Sequence, residues 1–135
     1  MTVQPPPVVR GAASVWFALS AFLVLENLVR WLRRDEFERA AARAGDDPAA
    51  VTGLLAQLTA VAVGFALGYG LFGWLLRRGT RWSRGVLTAV SVLHVLWIVL
   101  PGASAVNAVT LLLIAVGLSL TWLPATARWV RSVTG

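Results

Sequence analysis

The feature that most constrains this chain is a long apolar segment joined to a second apolar segment by a short arginine-rich loop. The first apolar segment runs from Leu54 to Leu76 and the second from Val86 to Leu100. The hydrocarbon core of a bilayer is about 30 Å thick, and about 20 residues of helix rising 1.5 Å each are enough to cross it. A water-soluble fold of this size does not need such a pattern, so the sequence predicts a membrane protein.

The composition leads to the same prediction. The chain has 135 residues, of which 58% are hydrophobic and 13% charged, with a mean hydropathy of +0.74. An average soluble domain has roughly 25% charged residues. The net charge is +6, but the arginines flank apolar segments, which is typical of membrane proteins and does not indicate nucleic-acid binding. The absence of cysteine excludes disulfides, thiolate metal ligands and cysteine nucleophiles.

We expect an all-α fold, an antiparallel four-helix transmembrane bundle over residues 12–124. The first helix should extend beyond the membrane and end near Gly45, which suits a C-terminal cap, and Gly79 should end the second helix. A proline-rich, extended tail covers residues 1–11, and Pro101 with Gly102 forms a tight turn between the last two spans. A short interfacial segment covers residues 125–135. The predicted spans are 12–30, 52–76, 84–100 and 103–123.

The arginine distribution gives an orientation. With four spans, the two termini and the loop after the second span lie on one side, together with seven of the 12 arginines. Arginine-rich short loops stay in the cytoplasm. We therefore predict a multi-pass plasma-membrane protein with both termini cytoplasmic.

Small residues recur every fourth position along the second predicted span. Helices in lipid associate through close backbone approach, so such a stripe indicates a packing surface. The stripe packs either against another helix of the same bundle or against a second copy of the chain in a homodimer. The residues of this small-residue stripe are Ala56, Ala60, Gly64 and Gly68.

Four polar residues interrupt the spans, and the four-span topology places them in the same outer half of the bilayer. Glu26 is near the outer end of the first span, and Gln57 is early in the second. His94 and Asn107 lie on either side of the turn between the third and fourth spans. One interpretation is a polar pocket in which Glu26 binds a cation or proton and His94 is its titratable partner. The other is a set of interhelical clamps, with Glu26 paired to Arg30.

The arginine loop is a second candidate site. Cationic side chains at the cytoplasmic surface attract anionic lipid headgroups, by about 1 kcal/mol per arginine. The alternative interpretation is that they only fix the topology. The candidate contacts are Arg77, Arg78, Arg81 and Arg84.

Two short stretches resemble a known group. The segment 79–93, GTRWSRGVLTAVSVL, is similar to the G-x-x-W-A-R-x-x-L-T stretch of small actinobacterial integral membrane proteins with four predicted spans. The segment 122–131, WLPATARWVR, and the proline-rich start resemble the ends of the same proteins. The resemblance implies four spans and assigns no functional residue. A weaker similarity, to the small multidrug transporter family, rests on four spans and a glutamate in the first one.

The sequence has no nucleophile with a matching base, no metal-ligand spacing and no phosphate-binding loop. We therefore expect no enzyme activity, no cofactor and no metal. The favoured expectation is a small accessory protein that interacts with the bilayer, with another membrane protein or with itself. The competing hypothesis is a small transporter or ligand-binding bundle that uses the pocket around Glu26 and His94.

Overall fold

A computed structural model describes residues 3–100 and 105–134 of the chain, and these residues confirm the all-helical prediction. No strand occurs within this part of the chain. The predicted turn at Pro101–Ala103 lies outside the described residues. The helices are α1 (Pro7–Leu32), α2 (Arg34–Arg43), α3 (Ala50–Arg77), α4 (Ser83–Val99), α5 (Ala105–Thr121) and α6 (Pro124–Thr134).

Two of these helices, α1 and α3, are long and apolar enough to cross a membrane. The segments Asn107–Thr121 and Pro124–Val133 meet at a bend of 58° and make a third candidate if they act as one span. Helix α4 is apolar but has only 17 residues. At 1.5 Å per residue such a helix is roughly 25 Å long, which is short of the hydrocarbon core.

Glycines end two of the helices in the way the sequence predicts. Gly79, with φ of 84°, follows α3, and its N–H donates to the carbonyl of Leu76 while Thr80 N–H donates to that of Leu75. Gly45, also with φ of 84°, ends α2 with the corresponding pair of bonds. This double bond pattern satisfies carbonyls that would otherwise lack partners, and it needs a left-handed residue that glycine supplies at little cost.

The first helix differs from its prediction at both ends. It begins at Pro7 within the segment expected to be extended, because a proline at the first helical position has no N–H that the helix would need. It also stops at Leu32 instead of continuing to Gly45. Arg33, with φ of −98° and ψ of 16°, leaves helical geometry, and α2 then turns towards α3, which it contacts.

Helices α1 and α3 form the most extensive interface, and they run antiparallel, since Trp16, Ser20 and Asn27 of α1 meet successively earlier residues of α3. The buried residues at this interface recur at steps of three, four or seven positions, which is the spacing of a coiled-coil seam. On α1 these are Val9, Ala12, Trp16, Leu19 and Leu23, and on α3 they are Leu55, Ala62, Ala66, Tyr69, Gly73 and Leu76. Helix α5 packs against α1, and α4 packs against α3, while α4 and α5 touch each other less than either of these pairs.

The outside of the molecule is more apolar than part of its inside. Large side chains such as Leu67, Leu93 and Leu112 are more than 60% exposed, whereas Ser91 and Thr121 are fully buried. A soluble monomer rarely exposes such a continuous apolar surface. In lipid the same surface is favourable, because hydrocarbon tails are as apolar as leucine.

Helix α6 replaces the short interfacial segment expected at the C-terminus with an ordered, amphipathic helix. Its apolar side buries Trp129 and Val130 next to α1, and its other side exposes Arg128 and Arg131. Val133 lies over Gly79, where a β-carbon would come within 2.8 Å of it. The C-terminal helix therefore closes over the loop between α3 and α4.

Candidate ligand-binding site

A cavity of about 190 Å³ lies between α1, α3, α4 and α5, at the end of the molecule where α1 ends and α3 begins. Three of the four polar residues singled out in the sequence line it, namely Glu26, His94 and Asn107. Arg30 and Thr110 add further polar groups. The apolar part of the wall includes Leu23, Leu58, Val61, Ala62, Phe65 and Trp97.

These polar side chains meet because each continues the buried seam of its own helix. Glu26 follows Leu23 on α1 by three residues, and Arg30 follows Glu26 by four. His94 is itself a buried seam residue of α4, beside Ser91. Since positions three or four apart lie on one side of a helix, the seams bring these groups to one point.

Gln57 does not belong to this group. It is exposed, whereas its neighbour Leu58 lines the cavity. Successive helical residues are rotated by about 100°, and here this rotation carries Gln57 to the exposed side of α3. The sequence predicts that Gln57 lies near the start of α3. The side of α3 on which it lies depends on how that helix packs.

Glu26 and Arg30 form an ion pair across one turn of α1, and their side chains are 14% and 32% exposed. The sequence offered this pair as an alternative to a pocket. In the structure the pair is itself part of the cavity wall. It presents a carboxylate and a guanidinium side by side, so the site offers an acceptor and a fork of donors to one molecule.

A polar contact beside the cavity ties α1 to α3. The hydroxyl of Thr59 accepts hydrogen bonds from the amide of Asn27 at 3.1 Å and from the indole N–H of Trp31 at 2.7 Å. This contact is an interhelical clamp of the kind that polar residues form in membrane proteins. The clamp and the cavity therefore coexist on the last turns of α1: Asn27 and Trp31 form the clamp, while Glu26 and Arg30 line the cavity.

His94 is held in place by aromatic neighbours. The Tyr69 hydroxyl lies 2.9 Å from His94 Nδ1, and the Phe65 ring stacks on the imidazole with centroids 4.3 Å apart. Tyr69 in turn stacks on Trp16 at 5.3 Å. The indole N–H of Trp16 donates to Thr121 Oγ1 at 3.0 Å. A continuous buried chain of side chains thus connects the cavity wall to the far end of α5.

Trp16 has a central structural role that the sequence did not reveal. It is fully buried, and glycines on two other helices make room for it. A β-carbon at Gly73 would lie 2.9 Å from Trp16 Cβ, and one at Gly117 would lie 3.0 Å from its ring. The available signal was a glycine inside each of two apolar helices, together with a tryptophan inside a third.

The small-residue stripe lies mostly outside the chain's own packing. Ala56, Ala60 and Gly64 are exposed, and a β-carbon at Gly64 would meet nothing within 4 Å. Gly68 is half-buried beside Val90 of α4. The stripe is rotated away from the buried seam of α3, and its Gly64 and Gly68 border an open apolar groove between α3 and α4.

The four loop arginines have different environments. Arg84 is half-buried: its Nε donates to the Thr121 carbonyl at 3.2 Å, and its guanidinium lies 4.2 Å from the Trp122 ring centroid. Arg77 and Arg78 line a separate cavity with α6. Arg81 is exposed. A headgroup therefore cannot meet all four in equivalent positions.

Comparison with protein-family models, with curated proteins and with solved structures gave no match for this chain. Within residues 3–100 and 105–134, no group of three metal-ligating side chains comes together. The function must therefore be inferred from the geometry of the cavities and surfaces.

Proposed function

We propose that this chain is a small multi-pass membrane protein that binds a small zwitterionic solute in the cavity between Glu26 and His94. The observation that carries the proposal is the convergence of the Glu26–Arg30 pair, His94 and Asn107 on one cavity of about 190 Å³. Buried polar groups are costly in a membrane unless they are paired or serve a function. This convergence favours the ligand-binding hypothesis over an accessory protein without a pocket.

The chemistry of the wall specifies the solute class. A carboxylate attracts an amine or other cation, and a guanidinium binds a carboxylate or phosphate through two parallel hydrogen bonds. In the structure these two groups neutralise each other across one helical turn. In the proposed complex, the cationic group of the zwitterion pairs with the Glu26 carboxylate and its anionic group with the Arg30 guanidinium. Binding therefore leaves no charge unpaired.

The proposal includes the arrangement in the membrane. Helices α1, α3, α4 and α5 serve as the four spans, with both termini on the cytoplasmic side of the plasma membrane. The shortness of α4 and α5 requires local thinning of the bilayer or long side chains reaching to its surface. In this arrangement the cavity opens towards the outside of the cell.

Cysteine accessibility tests the proposal directly, because the chain contains no cysteine. Ala62 lines the cavity, whereas the next residue, Val63, is exposed on the outer surface of α3. In intact cells, we expect a charged, membrane-impermeant thiol reagent to label the Ala62→Cys variant and to leave Val63→Cys unlabelled. A zwitterionic ligand should protect Ala62→Cys, and Glu26→Gln should abolish that protection.

The opposite pattern contradicts the proposal. If Ala62→Cys is unreactive from both sides of the membrane, the cavity is closed to solutes. If both variants react equally, the surface of α3 faces water and the membrane arrangement is wrong. Labelling of Ala62→Cys only from the cytoplasmic side would reverse the orientation and leave the cavity intact.

A second candidate function has a separate observation in its favour. The exposed stripe of Ala56, Ala60 and Gly64 lets another helix approach closely, as expected for an accessory protein that associates with itself or another membrane protein. An Ala60→Cys variant should then form a disulfide dimer in native membranes under mild oxidation. The control Leu112→Cys, an exposed residue on a different helix, α5, should remain monomeric. Dimers of both variants would indicate random collision.

A further inference from the structure

A second, larger cavity lies at the opposite end of the molecule from the Glu26 cavity. It has a volume of about 780 Å³ and is bounded by the end of α3, by α6 and by the segment before α1. Its charged wall consists of Arg77 and Arg78, and its aromatic wall of Trp74 and Trp129. We refer to it as the basic cavity.

The two ends of the molecule differ sharply in charge. All six acidic residues lie between Glu26 and Asp47, on the part of the chain that ends α1 and forms α2 and its following loop. The basic-cavity end carries seven arginines and no aspartate or glutamate: Arg10, Arg77, Arg78, Arg81, Arg84, Arg128 and Arg131. Among the described residues, every ion pair lies within the acidic segment. The positive charge of the basic cavity is therefore not neutralised by any ion pair among the described residues.

A residue in the wall of the basic cavity also has a buried, unused hydrogen-bond donor. Trp129 is 8% exposed, and its indole N–H has no hydrogen-bond acceptor among the described residues. A buried donor without an acceptor costs free energy that a ligand oxygen would recover. The hydroxyl-bearing Ser132, one helical turn from Trp129, lines the same wall.

One of the arginines is already oriented. The Arg78 guanidinium lies over the Trp74 ring, 4.8 Å from its centroid. Stacking of this kind leaves the edge of the guanidinium, with its N–H groups, available to an anion. Arg77 lines both this cavity and a neighbouring one that contains Arg10, so it extends the positive wall towards α1.

From these observations we propose that the basic cavity binds a phosphate group, and that its source is the headgroup of an anionic phospholipid. Arg77 and Arg78 bind the phosphate oxygens, and the Trp129 N–H donates to the same group. The apolar side chains of Trp74 and Val133 provide the surface along which acyl chains leave the site. This inference is independent of the proposed solute cavity, because the two share no residue.

The proposal narrows the four arginines singled out in the sequence to two. Arg84 already uses its guanidinium on the Thr121 carbonyl and the Trp122 ring. Arg81 is exposed and does not line the basic cavity. Arg81 is therefore a matched control for the site, since it has the same charge and belongs to the same loop.

The test uses the full-length protein in a neutral detergent, with dioctanoyl phosphatidylglycerol, dioctanoyl phosphatidylcholine and inorganic phosphate as probes in calorimetric titrations. We expect phosphatidylglycerol to bind more tightly than phosphatidylcholine. Arg77→Gln and Arg78→Gln should each weaken phosphatidylglycerol binding about fivefold. Arg81→Gln should leave its Kd within about twofold, as expected for a charge outside the site.

The remaining measurements separate the ligand sources and guard against misfolding. Trp129→Phe keeps an aromatic ring but removes the N–H, and it should weaken binding about tenfold. If Trp129→Phe unfolds, the exposed arginine variants still decide the question. Inorganic phosphate that binds as tightly as phosphatidylglycerol would overturn the lipid source. Equal affinity for both phospholipids, or an equal loss with Arg81→Gln, would overturn the site itself.

Discussion

The two ends of the α1 seam are packed in opposite ways. Around Trp16 the seam is dense, because Gly73 and Gly117 leave room for the indole on both sides. Around Glu26, ten residues further along the same helix, the seam opens into a cavity of about 190 Å³. The distance between the two regions is roughly 15 Å along the helix axis.

The difference shows that matched side-chain size, and not hydrophobicity, decides where this bundle closes. At the dense end a large ring faces positions without side chains, so the helices approach closely. At the open end, Phe65 and Trp97 line the cavity together with charged and amide groups. Covering those polar groups with an apolar side chain would cost free energy, because they would lose their hydrogen-bond partners. The stability of the fold should therefore depend on the first region and ligand binding on the second.

The largest expected effect comes from filling the space beside Trp16. Gly73→Ala and Gly117→Ala each place a β-carbon within about 3 Å of a buried indole. Overpacking of this kind should lower the free energy of unfolding by about 1–3 kcal/mol. Unfolding in mixed micelles of mild detergent and SDS, followed by tryptophan fluorescence, measures it.

Gly64→Ala is the matched control for the two glycine variants. It lies on the same helix as Gly73, but its β-carbon would meet nothing within 4 Å. We expect no loss of stability, since alanine favours a helix over glycine. Equal losses in Gly64→Ala and Gly73→Ala would mean that the dense packing around Trp16 does not hold the helices together.

A smaller effect is expected from breaking the link between the two regions. Tyr69→Phe keeps the ring stacked on Trp16 but removes the hydroxyl that lies 2.9 Å from His94 Nδ1. Interhelical hydrogen bonds in membrane proteins contribute about 0.6 kcal/mol on average and at most about 1.7 kcal/mol. We expect a loss in that range in the same unfolding assay. Ser119→Ala removes only an exposed hydrogen bond within α5, from the Ser119 hydroxyl to the Ala115 carbonyl, and should have no measurable effect.

The smallest effect on stability should come from filling the cavity. Ala62→Leu adds carbon atoms where the structure has space, so we expect the free energy of unfolding to change by less than about 1 kcal/mol. The same variant should lose the binding of a zwitterionic solute, measured by calorimetry. A loss of stability as large as that of Gly117→Ala would show that the cavity region is as tightly packed as the Trp16 region.

The sequence predicted part of this architecture through local rules. The helical character, the apolar segments of α1 and α3, and the glycines that end α2 and α3 all follow from interactions within a few residues. The break at Arg33 and the ordered helix α6 were not predicted. Both depend on contacts with distant residues, α2 with α3 and Val133 with Gly79.

The candidate site shows the same limit at the level of single residues. Glu26, His94 and Asn107 were singled out because polar groups inside a span are rare, which is a property of composition. Gln57 satisfied the same criterion but points elsewhere, because the rotation of α3 about its axis is fixed by its seam against α1. The role of Trp16 could not be found from the sequence, since the glycines that accommodate it belong to two other helices.

By itself, the sequence determined that this chain forms mostly apolar helices, that helices end at Gly45 and Gly79, and that its acidic residues lie on one short segment. These properties depend on hydrophobicity, local hydrogen bonding and charge, which act within a single helix or loop. The tertiary structure alone decided which side of each helix is buried, which polar residues share a cavity, and which two of four arginines line the basic cavity. Those outcomes depend on side-chain sizes matched between helices, and such matching exists only once the helices have packed.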